Sequence, residues 1–235
     1  MKHPATYTDT LLPVLAAMLP ADRALRILDP FAGTGKIATL RRWLPLATCY
    51  GTEIEPEWAA TTPGVIVANA LRLPFPAATF DAIVTSPTYG NRMADHHQAR
   101  DASPRHTYRH ALGRPLHAEN SGAMQWGAAY RDFHVAAWTE ARRVLRVGGI
   151  FVLNVKDHIR RGELQRVADW HIEALHALGF EETTRVAVPC PGQRHGANGH
   201  LRVAYEWVIR LGLDAQAPCG LCRRAPGHSG EITNK

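Results

Sequence analysis

The amino-acid sequence predicts a doubly wound α/β fold built on a mostly parallel sheet. From residue 25 onward, short apolar runs alternate with segments of helical periodicity, and each apolar run is nearly continuous rather than alternating with polar residues. Strands of this kind are typical of parallel sheets that helices cover on both faces. The chain has 235 residues, 46% of them hydrophobic, which suffices for one substantial domain.

Seven strands are expected in chain order. Five of them alternate with helices and cover residues 24–31, 48–55, 64–70, 80–86 and 150–155. The clearest helical segments cover residues 35–44, 130–145 and 162–178. Two more strands, 180–189 and 201–211, follow one another without a helix between them. Such consecutive strands pair antiparallel, so the sheet should carry an antiparallel strand at one edge.

The domain organisation follows from where this alternation stops. Residues 1–211 are predicted to form the main domain, and residues 212–235 a loose C-terminal tail. A long polar segment, residues 91–134, interrupts the pattern and contains six arginines and six histidines. Because so long an interruption in a compact domain is either functional or disordered, we predict an inserted substrate-recognition segment, with a solvated loop as the alternative.

The charge of the chain is unevenly distributed. Residues 1–90 hold 7 basic and 7 acidic side chains, whereas residues 91–235 hold 20 and 14, so the whole net charge of +6 lies in the later part. A basic excess suggests a polyanionic partner, and ordinary surface solubility is the competing explanation. The chain contains no apolar run of roughly 18 to 20 residues, and its first twenty residues include Pro4, Asp9 and Pro13. We therefore expect a soluble, cytoplasmic protein.

The four cysteines are too few for a disulfide framework in a chain of this length, which fits a reducing compartment. Cys219 and Cys222 form a C-x-x-C pair, but a structural zinc ion needs four ligands. Cys190 or His195 would complete such a site only if the tail folded back. A plain flexible tail is the simpler interpretation, and no metal site is predicted.

Two features at the strand ends point to a nucleoside-bearing ligand. The stretch "LDPFAGTGKIA" places Gly33 and Gly35 between the first strand and the next helix, where glycines permit a tight turn and a close approach to the backbone. Glu53 ends the second strand, where an acid can accept hydrogen bonds from both hydroxyls of a ribose. The alternative is a turn glycine and an unrelated surface glutamate.

Further stretches make the pattern specific. Together with the glycine turn, "KHPATYTDTLLPVL", "GTEIEP" and "NALRLPFPAATFDAIVTSPTYG" resemble the class I S-adenosylmethionine-dependent methyltransferases, and more narrowly the amino-group DNA methyltransferases with a D/N/S-P-P-Y signature. The glycine turn precedes the SPTY turn (residues 86–89), as in one of the family's permuted orders. The resemblance covers residues 2–92 well and residues 144–156 and 203–211 more loosely. It implies a Rossmann-like fold.

The resemblance also implies S-adenosyl-L-methionine as the cofactor and assigns residues to it. Asp29 would orient the turn and meet the amino-acid end of the cofactor, while Glu53 would hold the ribose. Ile54 would pack on the adenine, and Asn69, where the family usually has Asp, would accept a hydrogen bond from the adenine amino group. The other cofactor-binding residues that it implies are His3, Pro4, Phe31, Gly33 and Gly35.

The SPTY turn is implied to be the catalytic element. An exocyclic amino group is a poor nucleophile because its lone pair is delocalised into the ring. In the family's mechanism Ser86 Oγ and the Pro87 carbonyl accept hydrogen bonds from this amine, and Tyr89 stacks on a base extruded from the duplex. Catalysis then depends on positioning and electrostatics. The alternative makes Tyr89 a packing aromatic and Pro87 a loop stiffener.

The resemblance leaves the target partly open. Serine at the first position of the turn favours cytosine N4 over adenine N6. Thr88 replaces the usual second proline, and its hydroxyl is a candidate substrate contact, as are Asn91 and Arg92 at the start of the polar segment.

The expected partner is double-stranded DNA with the target base flipped, in a modification or restriction-modification role, and no membrane partner is expected. RNA or small-molecule methylation on the same fold is one alternative. A non-catalytic nucleic-acid-binding relative is the other. Methyl transfer requires no metal.

Overall fold

The structure, a computed structural model, describes residues 3–5, 7–90, 107–190 and 202–214. Several predictions from the sequence fall outside these residues. They concern Asn91, Arg92, the first part of the polar segment, and the C-x-x-C pair of the tail, Cys219 and Cys222.

The described residues contain nine strands and five α-helices. The strands are β1 (Leu25–Asp29), β2 (Ala47–Glu53), β3 (Val65–Val67), β4 (Phe80–Thr85), β5 (Leu145–Val155), β6 (His158–Arg160), β7 (Glu163–Gln165), β8 (Phe180–Pro189) and β9 (Tyr205–Leu213). The helices are α1 (Leu11–Ala17), α2 (Pro56–Ala59), α3 (Tyr108–Leu112), α4 (Ala128–Val144) and α5 (Val167–His176). Two short 3₁₀ helices cover Lys36–Arg42 and Ser121–Ala123.

Seven of the strands form one sheet in the order β3-β2-β1-β4-β5-β9-β8, which confirms the predicted fold class. Strands β1 to β5 are parallel, and β9 is antiparallel to both of its neighbours, β5 and β8. The antiparallel strand therefore lies one position inside the edge that β8 forms. Strand β9 continues to Leu213, two residues beyond the predicted domain boundary at 211.

Helices cover both faces of the sheet. Neighbouring residues of a strand point to opposite faces, so Leu28 joins the core under α4 and α5, whereas Ile27 joins the core under α1 and the first 3₁₀ helix. Trp138 is the largest side chain of the first core, and it is fully buried. Strands β1 and β4 are thus buried on both sides, which explains their continuous apolar sequences.

Several local predictions differ from the structure. The fifth strand begins at Leu145 rather than at residue 150, and the third covers only Val65–Val67. The helix expected at 35–44 is a 3₁₀ helix, and the helix expected at 162–178 begins only at Val167. The residues before it form a hairpin of β6 and β7 instead. Arg161 and Gly162 adopt φ angles of 55° and 82°, which are the left-handed conformations of a tight hairpin turn. Gly162 therefore turns a hairpin rather than starting a helix.

Within the part of the chain that the structure describes, no helix has the length and apolar character that crossing a bilayer demands.

Strands β1 to β5 are parallel, so their carboxyl ends all lie along one edge of the sheet. The residues at that edge form the candidate site.

Candidate active site

The candidate site lies where the strand order of the sheet reverses. The chain leaves β1 towards β2 and β3 on one side and returns to β4 on the other side of β1. In doubly wound sheets, ligands bind in the crevice that this reversal leaves at the carboxyl ends of the strands. Asp29, Glu53 and Ser86 stand at the ends of β1, β2 and β4 and therefore border this crevice.

Asp29 is fully buried and holds three parts of the site together. Its carboxylate accepts hydrogen bonds from the Tyr7 hydroxyl at 2.9 Å, from Thr85 Oγ1 at 2.7 Å and from the Phe31 backbone N–H at 3.0 Å. Burial raises the pKa of Asp29 to about 6, although the three donors act in the opposite direction. Asp29 thus bonds to the first part of the turn that follows β1.

Tyr7 was not identified from the sequence. It lies in the N-terminal segment, and its hydroxyl donates to Asp29 and contacts the backbone N–H of Ser86. Burial and the neighbouring carboxylate raise the pKa of Tyr7 well above its usual value. Tyr7 therefore connects the end of β1 to the SPTY turn. A single tyrosine in a mixed segment carries no sequence signal for this role.

The glycine turn needs its glycines for conformation and for space. Gly33 and Gly35 have φ angles of 53° and 77°, which side chains other than glycine rarely adopt. A Cβ atom on Gly35 would also lie 2.7 Å from Val65 Cγ2. The His3 ring covers Gly33, since a Cβ there would lie 3.4 Å from it. Burial lowers the pKa of His3 to about 4, so this ring is neutral at physiological pH.

Glu53 is positioned by backbone donors on both of its oxygens. Gly33 N–H donates to Oε2 at 3.0 Å, and Glu55 N–H donates to Oε1 at 2.9 Å. The side chain is buried, and burial raises the pKa of Glu53 to about 7. Each carboxylate oxygen has a second lone pair, so Glu53 can still accept from two neighbouring hydroxyls.

Asn69 follows β3 and has partners for both ends of its amide. Its Oδ1 accepts from Leu71 N–H at 2.9 Å, and its Nδ2 donates to Glu119 Oε2 at 3.0 Å. The oxygen keeps one lone pair for a further donor. Of the other residues implied for the cofactor, Pro4, Phe31 and Ile54 are half-buried, and Phe31 packs against the rings of α4.

The described part of the polar segment that precedes α4, residues 107–127, is called the cover segment here because it packs across the end of β2. Arg114 pairs with Glu57 at 2.6 Å and with the buried Glu55 at 2.8 Å. His117 N–H and Asn120 Nδ2 both donate to Glu55 Oε1, at 2.7 and 2.8 Å. This part of the predicted recognition segment therefore docks beside Glu53. Sequence reasoning missed Glu55 because an acid next to a motif residue resembles a surface charge.

The SPTY turn carries a hydrogen-bond chain with a defined direction. Asn154 Nδ2 donates to the Trp207 carbonyl at 3.2 Å, so its Oδ1 faces the Tyr89 hydroxyl, which donates to it at 3.1 Å. Ser86 Oγ lies 2.9 Å from the same hydroxyl. Since the Tyr89 proton is already used, Ser86 must donate to Tyr89. The remaining lone pairs of Ser86 are therefore acceptors.

The other side of the SPTY turn is held by the cover segment and by α4. Thr88 Oγ1 lies 3.1 Å from both the carbonyl oxygen and Oγ of Ser121. The Tyr130 hydroxyl donates to the Thr88 carbonyl at 2.5 Å. The Thr88 hydroxyl, predicted as a substrate contact, thus has its partners within the chain.

Tyr130 extends this support into the core. His171 Nε2 lies 3.0 Å from the Tyr130 hydroxyl, and Trp138 Nε1 donates to His171 Nδ1 at 3.1 Å. Because Nδ1 accepts, the imidazole proton is on Nε2 and points to Tyr130. Burial lowers the pKa of His171 well below its usual value, which keeps the ring neutral. The sequence carried no signal for this chain of partners.

The structure therefore brings Ser86, Tyr89 and Asn154 together. Asp29 is bonded to Thr85, next to Ser86, and Glu53 lies at the end of β2. Pro87 is buried within the turn, and the Tyr89 ring is half-buried against the larger core. Among the described residues, no group of three or more metal-ligating side chains lies together. The site offers hydrogen-bond acceptors, a carboxylate and an aromatic ring.

No protein-family model matches the sequence, and no curated protein matches it. Solved structures do match. The [4+2]-cyclase SpnF is 17% identical, with a TM-score of 0.57 over 88% of this chain and 80% of that one. A putative sarcosine dimethylglycine methyltransferase from Galdieria sulphuraria is 10% identical, with a TM-score of 0.55 over 92% of this chain and 93% of that one.

A third match is the 1,6-didemethyltoxoflavin-N1-methyltransferase of Burkholderia thailandensis, solved with 1,6-didemethyltoxoflavin and S-adenosylhomocysteine. It is 16% identical, with a TM-score of 0.50 over 86% of this chain and 78% of that one. The chain has the fold of the class I S-adenosylmethionine-dependent methyltransferases. Identities this low show the fold alone. SpnF, a cyclase by description, illustrates that this fold by itself does not define a reaction.

Proposed function

We propose that the protein is an S-adenosylmethionine-dependent methyltransferase that modifies the exocyclic amino group of a DNA base, cytosine N4 in preference to adenine N6. The observation that carries the proposal is the direction of the hydrogen bonds at the SPTY turn. Ser86 is left as an acceptor beside the crevice, and an amino group that must be activated requires an acceptor. We also propose a modification or restriction-modification role for this activity.

The residues at the ends of β1 and β2 fit the proposed cofactor. Glu53 is buried, is oriented by two backbone donors, and retains a lone pair on each oxygen for the two ribose hydroxyls. The turn through Gly33 and Gly35 lets a ligand approach the backbone closely. When bound, S-adenosylmethionine would supply an electrophilic methyl group on a positively charged sulfur.

The chain itself would activate the amine by geometry. Hydrogen bonds from the amine to Ser86 Oγ and to the Pro87 carbonyl draw electron density onto its nitrogen and favour the tetrahedral form that reacts. Tyr89 would hold the base plane beside these acceptors. Since the acceptors are fixed before the substrate binds, little reorganisation is needed in the transition state.

Labelled methyl transfer tests this proposal. The protein would be incubated with methyl-labelled S-adenosylmethionine and, separately, unmethylated duplex DNA, RNA or free nucleosides, and the products would be digested and identified by mass spectrometry. We expect N4-methylcytosine in the DNA. Ser86→Ala should lower the transfer rate at least about tenfold without changing cofactor affinity, since about 1.4 kcal/mol corresponds to a factor of ten.

A matched control is Thr139→Val, which removes a hydroxyl that bonds within α4, away from the SPTY turn. It should transfer methyl groups at the wild-type rate. Labelled RNA with no labelled DNA would overturn the proposal. Label on adenine N6 would support amino-group methylation of DNA but would identify adenine, rather than cytosine, as the target base.

A small-molecule amine is the second candidate substrate. Two of the proteins with a similar fold are described as methyltransferases of small molecules. In this chain, the cover segment docks beside Glu53 at the end of β2. The same experiment, with small amines added to the substrates offered, separates the two candidates. Transfer to nucleosides or small amines without transfer to polymeric DNA would favour the small-molecule substrate.

Cofactor affinity should depend on pH through Glu53. Burial raises the pKa of this carboxyl to about 7, and only the ionised form accepts from both ribose hydroxyls. Affinity should therefore approach its full value above about pH 8 and fall by up to about tenfold for each pH unit below about pH 7. Isothermal titration calorimetry with S-adenosylhomocysteine across this range would measure the effect.

Glu53→Gln supplies the control for that titration. It keeps the shape of the side chain and one acceptor oxygen but cannot ionise. It should bind more weakly at neutral pH and show a nearly flat dependence. An unchanged slope in this variant would assign the pH dependence to another group.

A further inference from the structure

The hairpin of β6 and β7, residues 158–166, has no part in the site described above. It begins three residues after β5 ends. It therefore emerges where the carboxyl ends of the parallel strands lie, as does the neighbouring SPTY turn. It contains three arginines and one glutamate. Arg160, Arg161 and Arg166 are all exposed.

Arg161 stands at the tip of the hairpin in an unusual conformation. Its φ angle is 55°, in the left-handed region that tight hairpin turns normally fill with Gly, Asn or Asp. An arginine there is less favourable for the turn than glycine would be. The hairpin therefore has a charged side chain at a position where the backbone conformation favours Gly, Asn or Asp.

Trp126 joins the hairpin to the SPTY turn. Arg160 Nη1 donates to the Trp126 carbonyl at 2.8 Å, and Trp126 N–H donates to the carbonyl of Gly90 at 2.9 Å. Gly90 directly follows Tyr89, and a Cβ on it would lie 2.8 Å from Trp126 N. The hairpin and the proposed catalytic turn are thus two hydrogen bonds apart.

Arg131, Arg160 and Arg161 are all exposed. The Arg131 guanidinium lies 4.7 Å over the Trp126 ring. Among the described residues, the ion pairs include none of Arg131, Arg160 and Arg161. By contrast, Arg114, Arg143, Arg146 and Arg185 each pair with a carboxylate.

We propose that Arg131 and Arg160, which contact Trp126, and Arg161 at the tip of the hairpin form a surface that binds the phosphate backbone of double-stranded DNA beside the SPTY turn. This inference rests on the proposed function and adds the location of the contact. Guanidinium groups bind phosphate oxygens through paired hydrogen bonds, and such contacts orient a duplex without reading its sequence. The surface would hold the backbone that flanks the extruded base.

Fluorescence anisotropy with a labelled duplex of about 20 base pairs, measured over a salt series, tests the surface. Each phosphate contact contributes about 0.9 to the slope of log affinity against log salt. Arg160→Ala/Arg161→Ala should therefore reduce the magnitude of the slope by about two and weaken binding at least about tenfold at low salt. Arg23→Ala is the control, because Arg23 is exposed before β1, at the opposite edge of the sheet.

Arg161→Gly separates charge from structure. Glycine suits the left-handed turn, so this variant should melt at the wild-type temperature or higher while the salt slope falls by about one. Duplex affinity and slope that match the wild type in both variants would overturn the proposal. Arginine-dependent binding of RNA or single-stranded DNA, without duplex binding, would also overturn it.

The outcome is distinguishable from failure of the proposed function. Arginine-dependent duplex binding without any methylated base would retain the surface and reject DNA methylation. Normal methylation of DNA, with no effect of either variant on affinity or on KM, would retain DNA methylation and reject the surface. If both hold, Arg160→Ala/Arg161→Ala should raise the KM for DNA and leave kcat nearly unchanged.

Discussion

Asp29→Ala is expected to lower the free energy of unfolding by about 3 kcal/mol and to abolish measurable cofactor binding. The change leaves Tyr7 Oη, Thr85 Oγ1 and the Phe31 N–H without their buried acceptor. Each buried donor that loses its partner costs about 1 to 3 kcal/mol, and removal of a desolvated carboxylate offsets part of this. Urea unfolding at neutral pH and calorimetric titration with S-adenosylhomocysteine would measure the two effects.

Asp29→Asn and Tyr7→Phe are the matched variants. The asparagine retains one acceptor oxygen but presents an amide N–H to one of the donors, so about 1 to 2 kcal/mol should be lost. Tyr7→Phe removes one donor to Asp29 and leaves the other two paired, but it also removes the oxygen that contacts the Ser86 N–H, so it should cost about 1 to 2 kcal/mol. A loss below about 1 kcal/mol for Asp29→Ala would contradict the proposed role of this carboxylate.

The difference in stability between the wild type and Asp29→Asn should depend on pH. Burial raises the pKa of Asp29 to about 6, so the folded protein binds a proton more tightly than the unfolded chain does. The stability that this provides is complete below about pH 4 and is lost as the pH rises through about 6. Relative to Asp29→Asn, the wild type should therefore lose stability across this window as the pH rises.

Tyr89→Ala is expected to lower the rate of methyl transfer about a hundredfold or more while leaving the cofactor Kd unchanged. A base stacked on an aromatic side chain is stabilised by about 1 to 3 kcal/mol, and each 1.4 kcal/mol corresponds to about tenfold. The variant also removes the hydroxyl that fixes the direction of Ser86. Single-turnover transfer to DNA, with saturating cofactor, would measure the rate.

Tyr89→Phe divides the two contributions. It keeps the ring and removes the hydroxyl, so Ser86 Oγ loses its partner and can rotate, and we expect about tenfold slower transfer, equivalent to about 1.4 kcal/mol. Asn154→Leu should have a similar effect, because the Tyr89 proton is then free to be donated to Ser86. The two changes should not add when combined, since both act on the same chain. Wild-type rates in Tyr89→Ala would reject the SPTY turn as the catalytic element.

Much of the fold could be predicted because its signals are local. The central strands are continuous apolar runs, since the sheet is covered on both faces, and the helix α4 has a clear apolar periodicity. The β6–β7 hairpin was missed because Gly162 is compatible with a helix boundary and with a hairpin turn alike. Only the pairing of residues 158–160 with residues 163–165 distinguishes the two.

Some residues of the candidate site could likewise be predicted from the sequence, and others could not. The positions of Glu53 and Ser86 could be predicted because each stands at the end of a recognisable strand and belongs to a short motif. Tyr7, Asn154 and Arg114 could not, because their partners are 22, 65 and 57 residues away along the chain. No local pattern encodes a contact over such a separation.

The sequence by itself thus determined that this protein has a doubly wound sheet with a glycine turn after β1, an acid after β2 and a kinked SPTY turn after β4. These features depend on strand burial and on backbone conformation, which neighbouring residues specify. Tertiary structure alone decided the direction of the hydrogen bonds at the SPTY turn. It also placed an arginine-bearing hairpin beside that turn. The physical reason is that a hydroxyl can donate only one proton. Asn154, on a different strand, takes the proton of Tyr89, so Ser86 donates its own proton to Tyr89 and offers only lone pairs to the crevice.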